Sequence, residues 1–469
     1  MSRLDVTIQE RHIARLRELV LPASGTEGAA YILFGESHVN EDPWDRTSRR
    51  RFLSYDVIPI ATSEIESASD NHITWSTASF VRLLKQAKDE GLVAGIVHSH
   101  PHGPDAFSDQ DARNEADLAQ LTRNRNGAEA TLISILLTGE GAVRAQAWLG
   151  TKSAEPIDLV RVVGRRLALH GRNLQGRVNE AFSRQALAFG EATNAQLRRL
   201  RVGVVGCGGT GSPTAMLLAR LGVGQLVLFD EDIVEATNLN RLHGARQADA
   251  DAMRPKVEVL AREISEMGLG TRVVPVRKWI GDVTCRDALK SCDVIFGCTD
   301  DHDGRLLLNR LAYFYLIPVI DMGLAIEPQP KGGGVRELSG RCTVLLPGAP
   351  CLLCRGIVDP VIAREEELKR KDPHEFERRK REAYVRGGGD PAPAVITFTT
   401  ATASMAIDEL LQGLSNFRGG EGWAWQRVRR FDLMRDRSPG ALANPDCPIC
   451  FDAAYWGLGD VEPFLDRIG

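Results

Sequence analysis

Apolar residues recur along the first 150 positions at two different spacings. Ile13, Leu16, Leu19 and Val20 fall three to four apart, which predicts a helix over residues 8–20. After the turn-rich Pro22–Gly25, the run Ala29–Phe34 reads as a strand, as do Val93–Val97 and Thr131–Thr138, while Ser108 opens a helix through Leu121. Residues 155–200 read as largely helical and polar, ending in Leu197–Arg201. Beyond them the apolar segments Val202–Gly206, Gln225–Phe229, Thr271–Val276, Val294–Gly297 and Pro318–Asp321 alternate with helical stretches, the pattern of a parallel, doubly wound sheet. Residues 359–395 predict a charged helix followed by a loop at Gly387–Pro393. The fold class is therefore α/β. An N-terminal α/β domain spans 1–152, a helical linker 153–180, and a Rossmann-like, mostly parallel domain 181–469.

Composition narrows the partners. The 469 residues are 43% hydrophobic and 26% charged, as in a soluble globular chain of two or three domains. A net charge of −4 argues against nucleic acid or an anionic membrane as partner, since both demand a basic field. The runs Lys369–Lys371 and Arg378–Arg381 alternate with acids and read as a solvated helical face. No apolar run reaches the roughly 20 residues of a membrane helix, and the N-terminus lacks a signal-peptide core. Nine cysteines, four of them in two C-x-x-C pairs, favour metal ligation in a reducing cytoplasm over disulfides.

Three constellations carry chemistry. Cys351, Cys354, Cys447 and Cys450 have the spacing of two half-sites of a tetrahedral thiolate centre, which leaves no open position and so predicts a structural zinc. His98 and His100 stand two apart at a strand end and share a face; with Asp111 they make a three-ligand zinc site that keeps one position for water. Ser108 and Asp111 have, equally, the spacing of a helix capping box. Gly206, Gly208, Gly209 and Gly211 follow a strand and precede a helix, so backbone N–H groups and the helix N-terminus can meet phosphates. Alone, that fingerprint with Asp230 closing the next strand also fits a dinucleotide dehydrogenase.

Residues downstream of the glycines shift the balance away from a dehydrogenase. Asp230 to Arg241 with Asn238, then Pro255-Lys256, then Cys298 to Asp301, preceded by Phe182–Gln185, resembles the ThiF/MoeB family of ubiquitin-activating-like adenylyltransferases. The resemblance implies that Asp230 holds the ATP ribose, that Asn238, Arg241 and Lys256 contact phosphates, and that Asp300 holds magnesium. It implies further that Arg184 reaches the neighbouring subunit of a homodimer. The N-terminal pattern, His98-Ser-His100-Pro with Ser108 and Asp111, resembles the JAMM (JAB/MPN) metallopeptidases. That likeness implies Ser108 as oxyanion donor and Glu27 as general base, with Glu36 as second candidate. Together they predict an enzyme that adenylates, with ATP and magnesium, the C-terminal glycine of a ubiquitin-like or sulfur-carrier protein. The same chain is expected to cleave at such a tail, in a bacterial cytoplasm, beside a conjugating enzyme or sulfurtransferase. The competing expectation is a sulfur-transfer enzyme whose N-terminal domain only docks the carrier. No cysteine lies between Cys354 and Cys447 to carry a thioester, and Cys342 is the remaining candidate.

Overall fold

The computed structural model describes residues 2–69, 73–150, 153–171, 180–329, 333–381, 393–420 and 422–461. The expected loop at 387–392 falls outside them. Eleven strands form first: β1 Arg3–Gln9, β2 Ala29–Val39, β3 Arg49–Pro59, β4 Ile65–Ala68, β5 Ile73–Trp75, β6 Val93–His100, β7 Thr131–Thr138, β8 Val143–Leu149, β9 Glu155–Pro156, β10 Leu159–Val163 and β11 Leu167–Gly171. All but β4 and β5 join one nine-stranded sheet in the order β11-β10-β1-β3-β2-β6-β7-β8-β9. Helix α1 (Glu10–Val20) buries Ile13, Leu16 and Val20 against Val6, Ile8, Val97 and Ile133 on one face. Helices α2 (Thr77–Glu90) and α3 (Asp109–Asn126) cover the other, where Phe80, Leu83 and Leu84 meet Tyr31, Leu33 and Ile96.

The helical linker expected at 153–180 does not appear among the described residues: 159–163 and 167–171 are strands β10 and β11, and 172–179 lie outside the description. Leu159-Val-Arg-Val-Val163 is a β-branched run stopped by Gly164, and it is buried on both faces. Val160 and Val162 face the first domain's core, whereas Leu159 and Val163 join the core of the second. The helix begins only at α4 (Ser183–Arg199), with a break at Gly190.

The second domain carries β12 Arg201–Val205, β13 Gln225–Phe229, β14 Arg272–Val276, β15 Val294–Gly297, β16 Val319–Pro328, β17 Val335–Leu345, β18 Gln426–Arg430 and β19 Arg435–Arg437. Their order is β14-β13-β12-β15-β16-β17-β18-β19. Strands β12 to β16 pair in parallel, and β17 to β19 continue as an antiparallel wing. The strand order reverses between β12 and β15, where a doubly wound sheet opens a crevice at the carboxyl ends. Helix α5 (Gly211–Arg220) starts at that crevice.

The domains meet across buried side chains. Trp44 donates its indole N–H to the Leu226 carbonyl at 3.3 Å, and Trp423 does the same to Gly164 at 2.9 Å. Asp460 accepts from the His38 amide at 2.6 Å and from the Tyr315 hydroxyl at 2.6 Å, so the last described residues tie β2 to the second domain. Ion pairs between Arg161 and Asp293 (2.6 Å) and between Arg201 and Asp42 complete the seam.

Candidate functional site

The first cluster is built by register. Ala29 on β2 pairs with His98 on β6, so the residue two before β2, Glu27, stands beside the histidines at the strand end. His98, His100 and Glu27 are each at most 7% exposed. The Nε2 atoms of His98 and His100 lie 3.4 and 3.3 Å from the two carboxylate oxygens of Asp111, and a Glu27 oxygen lies 3.8 Å from His100 Nε2. His100 Nδ1 sits 3.1 Å from the Pro104 carbonyl, a contact that places the proton on Nδ1 and turns Nε2 to the cluster. Two nitrogens and an oxygen at ~2.0–2.2 Å from a tetrahedral zinc stand about 3.4 Å apart, so the donor set fits that ion. Burial penalises the Asp111 carboxylate, yet both imidazoles and the Ser108 amide hold it below the usual carboxylate range.

Ser108 and Asp111 do form the capping box: the Asp111 amide donates to Ser108 Oγ at 3.1 Å, and the Ser108 amide donates to Asp111 at 2.7 Å. Capping and clustering are thus one arrangement, since the cap fixes the carboxylate that meets the histidines. Glu36 is elsewhere, paired with Arg50 at 2.5 Å and His38 at 3.2 Å. The structure brings Glu27, and not Glu36, to the histidines.

The second cluster joins the four distant cysteines. Sγ–Sγ separations are 3.7 Å for Cys351–Cys447, 3.5 Å for Cys354–Cys450 and 3.7 Å for Cys447–Cys450. A disulfide needs ~2.05 Å, whereas zinc at ~2.3 Å from four sulfurs sets them about 3.8 Å apart. The four thiols fit a closed zinc centre. Cys342, by contrast, is wholly buried in β17, and burial pushes its thiol up to about 12, an environment that favours the neutral thiol.

The third site is a cleft of about 530 Å³ at the carboxyl ends of β12, β13 and β15. Gly206 has φ +85°, and a Cβ on Gly211 would lie 1.7 Å from the Gly206 carbonyl oxygen, so the loop closes only with glycine at both positions. Gly208 and Gly209 line the opening. Asp230 accepts from the Cys207 amide at 2.6 Å and the Asp232 amide at 2.9 Å, and burial raises its pKa despite the nearby Lys256. Lys256 donates to Asp232 at 2.7 Å, and Arg241 donates to the Thr237 carbonyl at 2.6 Å. Asn238 and Asp300 line the same cleft. Neighbouring Asp301 is committed to capping the helix His302–Phe314, which leaves Asp300 turned to solvent. Arg184 is exposed on the first turn of α4 and does not line this cleft.

Residues 182–449 match the model of the ThiF family. The chain belongs to the ThiF family. Residues 9–149 match the model of prokaryotic homologs of the JAB domain. This ThiF family chain is 32% identical over 266 residues to the SAMP-activating enzyme E1 of Haloferax volcanii, covering 56% of itself and 84% of that protein. Over 245 residues it is 29% identical to the adenylyltransferase and sulfurtransferase MOCS3 of Bos taurus, covering 51% of itself and 47% of that protein. It is 32% identical over 141 residues to the sulfur carrier protein ThiS adenylyltransferase of Escherichia coli, 30% of itself and 55% of that protein. The chain thus spans about half of the latter two.

The cleft of this ThiF family chain also holds cations that the sequence pattern left unmarked. Arg305 approaches Asp321 at 3.3 Å and donates to the Met322 carbonyl at 3.1 Å. Arg370, within the run expected to be merely solvated, lies 3.7 Å over the Trp279 ring, pairs with Asp303 and lines the cleft. Nothing local distinguishes it from Lys369 or Lys371. Only the packing of its helix against the nucleotide domain does.

Proposed function

We propose that this chain uses ATP and magnesium to adenylate the C-terminal glycine carboxylate of a ubiquitin-like or sulfur-carrier protein. Its N-terminal domain would hydrolyse a peptide or isopeptide bond at such a tail. The observation that carries the reading is the cleft at the strand-order reversal, where Asp230, Asn238, Arg241, Lys256 and Asp300 converge on a glycine loop. A dehydrogenase has no use for cations gathered around a triphosphate. Adenylation does, because negative charge builds on the α-phosphate as the carboxylate attacks. The carboxylate oxygen bonds to the α-phosphorus while the bond to the β-phosphate oxygen breaks, and pyrophosphate leaves with the electron pair.

In this reading Asp230 accepts a ribose hydroxyl, Arg241 and Lys256 balance the phosphates with Asn238, and Asp300 holds magnesium. Arg184 would serve the neighbouring subunit of a homodimer, in keeping with its exposure outside its own cleft. With Cys342 buried, the acyl group passes from AMP to a partner's nucleophile, either a conjugating enzyme or a sulfur donor. Of the three relatives, the ThiS adenylyltransferase is named for a sulfur carrier protein, which favours a carrier as substrate, and its name and that of MOCS3 both point to a sulfur branch.

In the N-terminal domain, Glu27 would take a proton from the attacking water, and Ser108, whose hydroxyl donates to Asp111 at 2.8 Å here, would turn to donate to the developing oxyanion. His98, His100 and Asp111 would hold a zinc ion, which polarises water and carbonyl when bound. A reducing cytoplasm suits the four free thiols of the second centre.

ATP–pyrophosphate exchange with carriers ending in glycine tests the adenylation half. Carrier-dependent exchange lost in Asp300→Ala is expected; no exchange with any glycine-ended carrier sinks it. A carrier extended beyond its glycine tests the other half, with cleavage expected for the native chain and none for His100→Ala. Cleavage by neither would leave a docking domain.

A further inference from the structure

A second cavity, of about 430 Å³, opens where the two domains meet. It lies at the amino-terminal ends of β12, β13 and β15, beside Arg201, Gln225 and Asp293, and so at the opposite edge of the sheet from the nucleotide cleft. Six arginines line it. Arg3, Arg49 and Arg161 come from the N-terminal sheet, and Arg198, Arg199 and Arg201 from the second domain. Asp5, Asp158 and Asp293 oppose them in the wall, and Asp42 and Asp45, outside the lining, pair with Arg49, Arg201 and Arg3, so six arginines meet five carboxylates.

The excess extends into the protein. Arg49, Arg51, Arg161 and Arg201 are at most 5% exposed, against the buried carboxylates Asp5, Asp42 and Asp293. Arg161 is 2% exposed and lines the cavity; its Nε and Nη2 are spent on Asp293 at 2.7 and 2.6 Å, and Nη1 has no hydrogen-bond partner among the described residues. Arg49 likewise has an unpartnered Nε while another of its nitrogens binds Asp5 at 2.5 Å. Behind them, burial and then the Arg161 guanidinium press the pKa of Arg51 down to about 9. Buried guanidinium donors without acceptors cost free energy, and an anion that accepts from them removes both the unmet donors and the like-charge repulsion.

We propose that this seam cavity binds a compact, multivalent oxyanion of the phosphate class. Such a ligand accepts from the unmet Arg161 and Arg49 donors of the first domain and from Arg198 of the second, so it clamps the peptidase-like domain onto the nucleotide domain. Inorganic phosphate and pyrophosphate share the required chemistry. Pyrophosphate would make the site responsive to adenylation itself, while phosphate would make it a constitutive brace.

Calorimetric titration of the full chain with phosphate and with pyrophosphate tests this, run in the Lys256→Met background so that the nucleotide cleft contributes little. Sodium chloride at matched ionic strength is the control. Saturable binding is expected, together with a rise in unfolding temperature that chloride does not give. Arg198→Ala, exposed on the solvent side of the cavity, is expected to weaken binding about tenfold. Asp158→Asn, also exposed, removes an opposing carboxylate and is expected to tighten binding about two- to fivefold, an effect that a misfolded variant cannot mimic. Preference for pyrophosphate or for phosphate names the ligand. Failure of both anions to bind, or affinity unchanged in both variants, overturns the proposal.

Discussion

Replacing Lys256 with methionine isolates the charge on which the nucleotide cleft depends. Its side chain is 12% exposed, and its Nζ sits 2.7 Å from Asp232 and within electrostatic reach of Asp230. A phosphate oxygen at about 4 Å from this ammonium gains roughly 4 kcal/mol at an effective dielectric of ~20. Water entering the cleft and the remaining Arg241 offset part of that, leaving about 2–3 kcal/mol, or roughly a 30- to 150-fold loss of kcat/KM for ATP. A second consequence concerns pH. Burial already raises the Asp230 carboxyl, and Lys256 is the main influence holding it down. Without that cation the carboxylate protonates at higher pH, so the acid limb of the exchange profile moves upward. Pyrophosphate exchange across pH, with ATP affinity measured by calorimetry, reads both effects in one pair of proteins. A fall of less than about threefold with an unmoved acid limb would refute the argument and leave Lys256 a surface partner of Asp232.

Metal analysis tests the two proposed zinc sites separately. The native chain is expected to hold about two zinc ions, Cys354→Ser and His100→Ala about one each, and only the cysteine variant should lose much thermal stability. Glu27→Gln should keep zinc but lower tail cleavage about 10²–10⁴-fold, while Glu36→Gln should leave turnover near native, as assayed on a carrier extended beyond its glycine. His12 is 7% exposed, and burial followed by the Arg11 charge pushes its pKa down to about 3 from an ordinary 6.5. The unfolded chain therefore binds the extra proton between those values, so stability is whole above about 6.5 and falls as pH drops. Denaturant unfolding should show His12 contributing about 2 kcal/mol to the loss from about pH 7 to about pH 5, a part that His12→Gln removes while His170, His243 and His302, also lowered by burial, keep theirs.

The sequence by itself determined whatever is encoded within a few residues of one element. His98 and His100 share a face because a strand alternates with period two, and the two C-x-x-C turns present paired sulfurs wherever they lie. The glycine loop is legible because the close approach of Gly211 to Gly206 tolerates no Cβ. The strands of the nucleotide domain were legible as apolar runs because parallel strands are buried on both faces. Tertiary structure alone decided the rest, since it depends on pairing between distant segments. Register on β2 puts Glu27, which the resemblance ranks first, beside the histidines and sends Glu36 to Arg50, through pairing between distant segments. Residues 159–163, expected to be helical, became the strand that joins both cores, because their polar neighbours hid a short run that only burial on two sides explains. Arg370 is one charge in a basic run until its helix packs beside Trp279. The arginines of the seam come from four separate segments, around Arg3, Arg49, Arg161 and Arg198–Arg201, and their mutual repulsion exists only once two sheets bring them together.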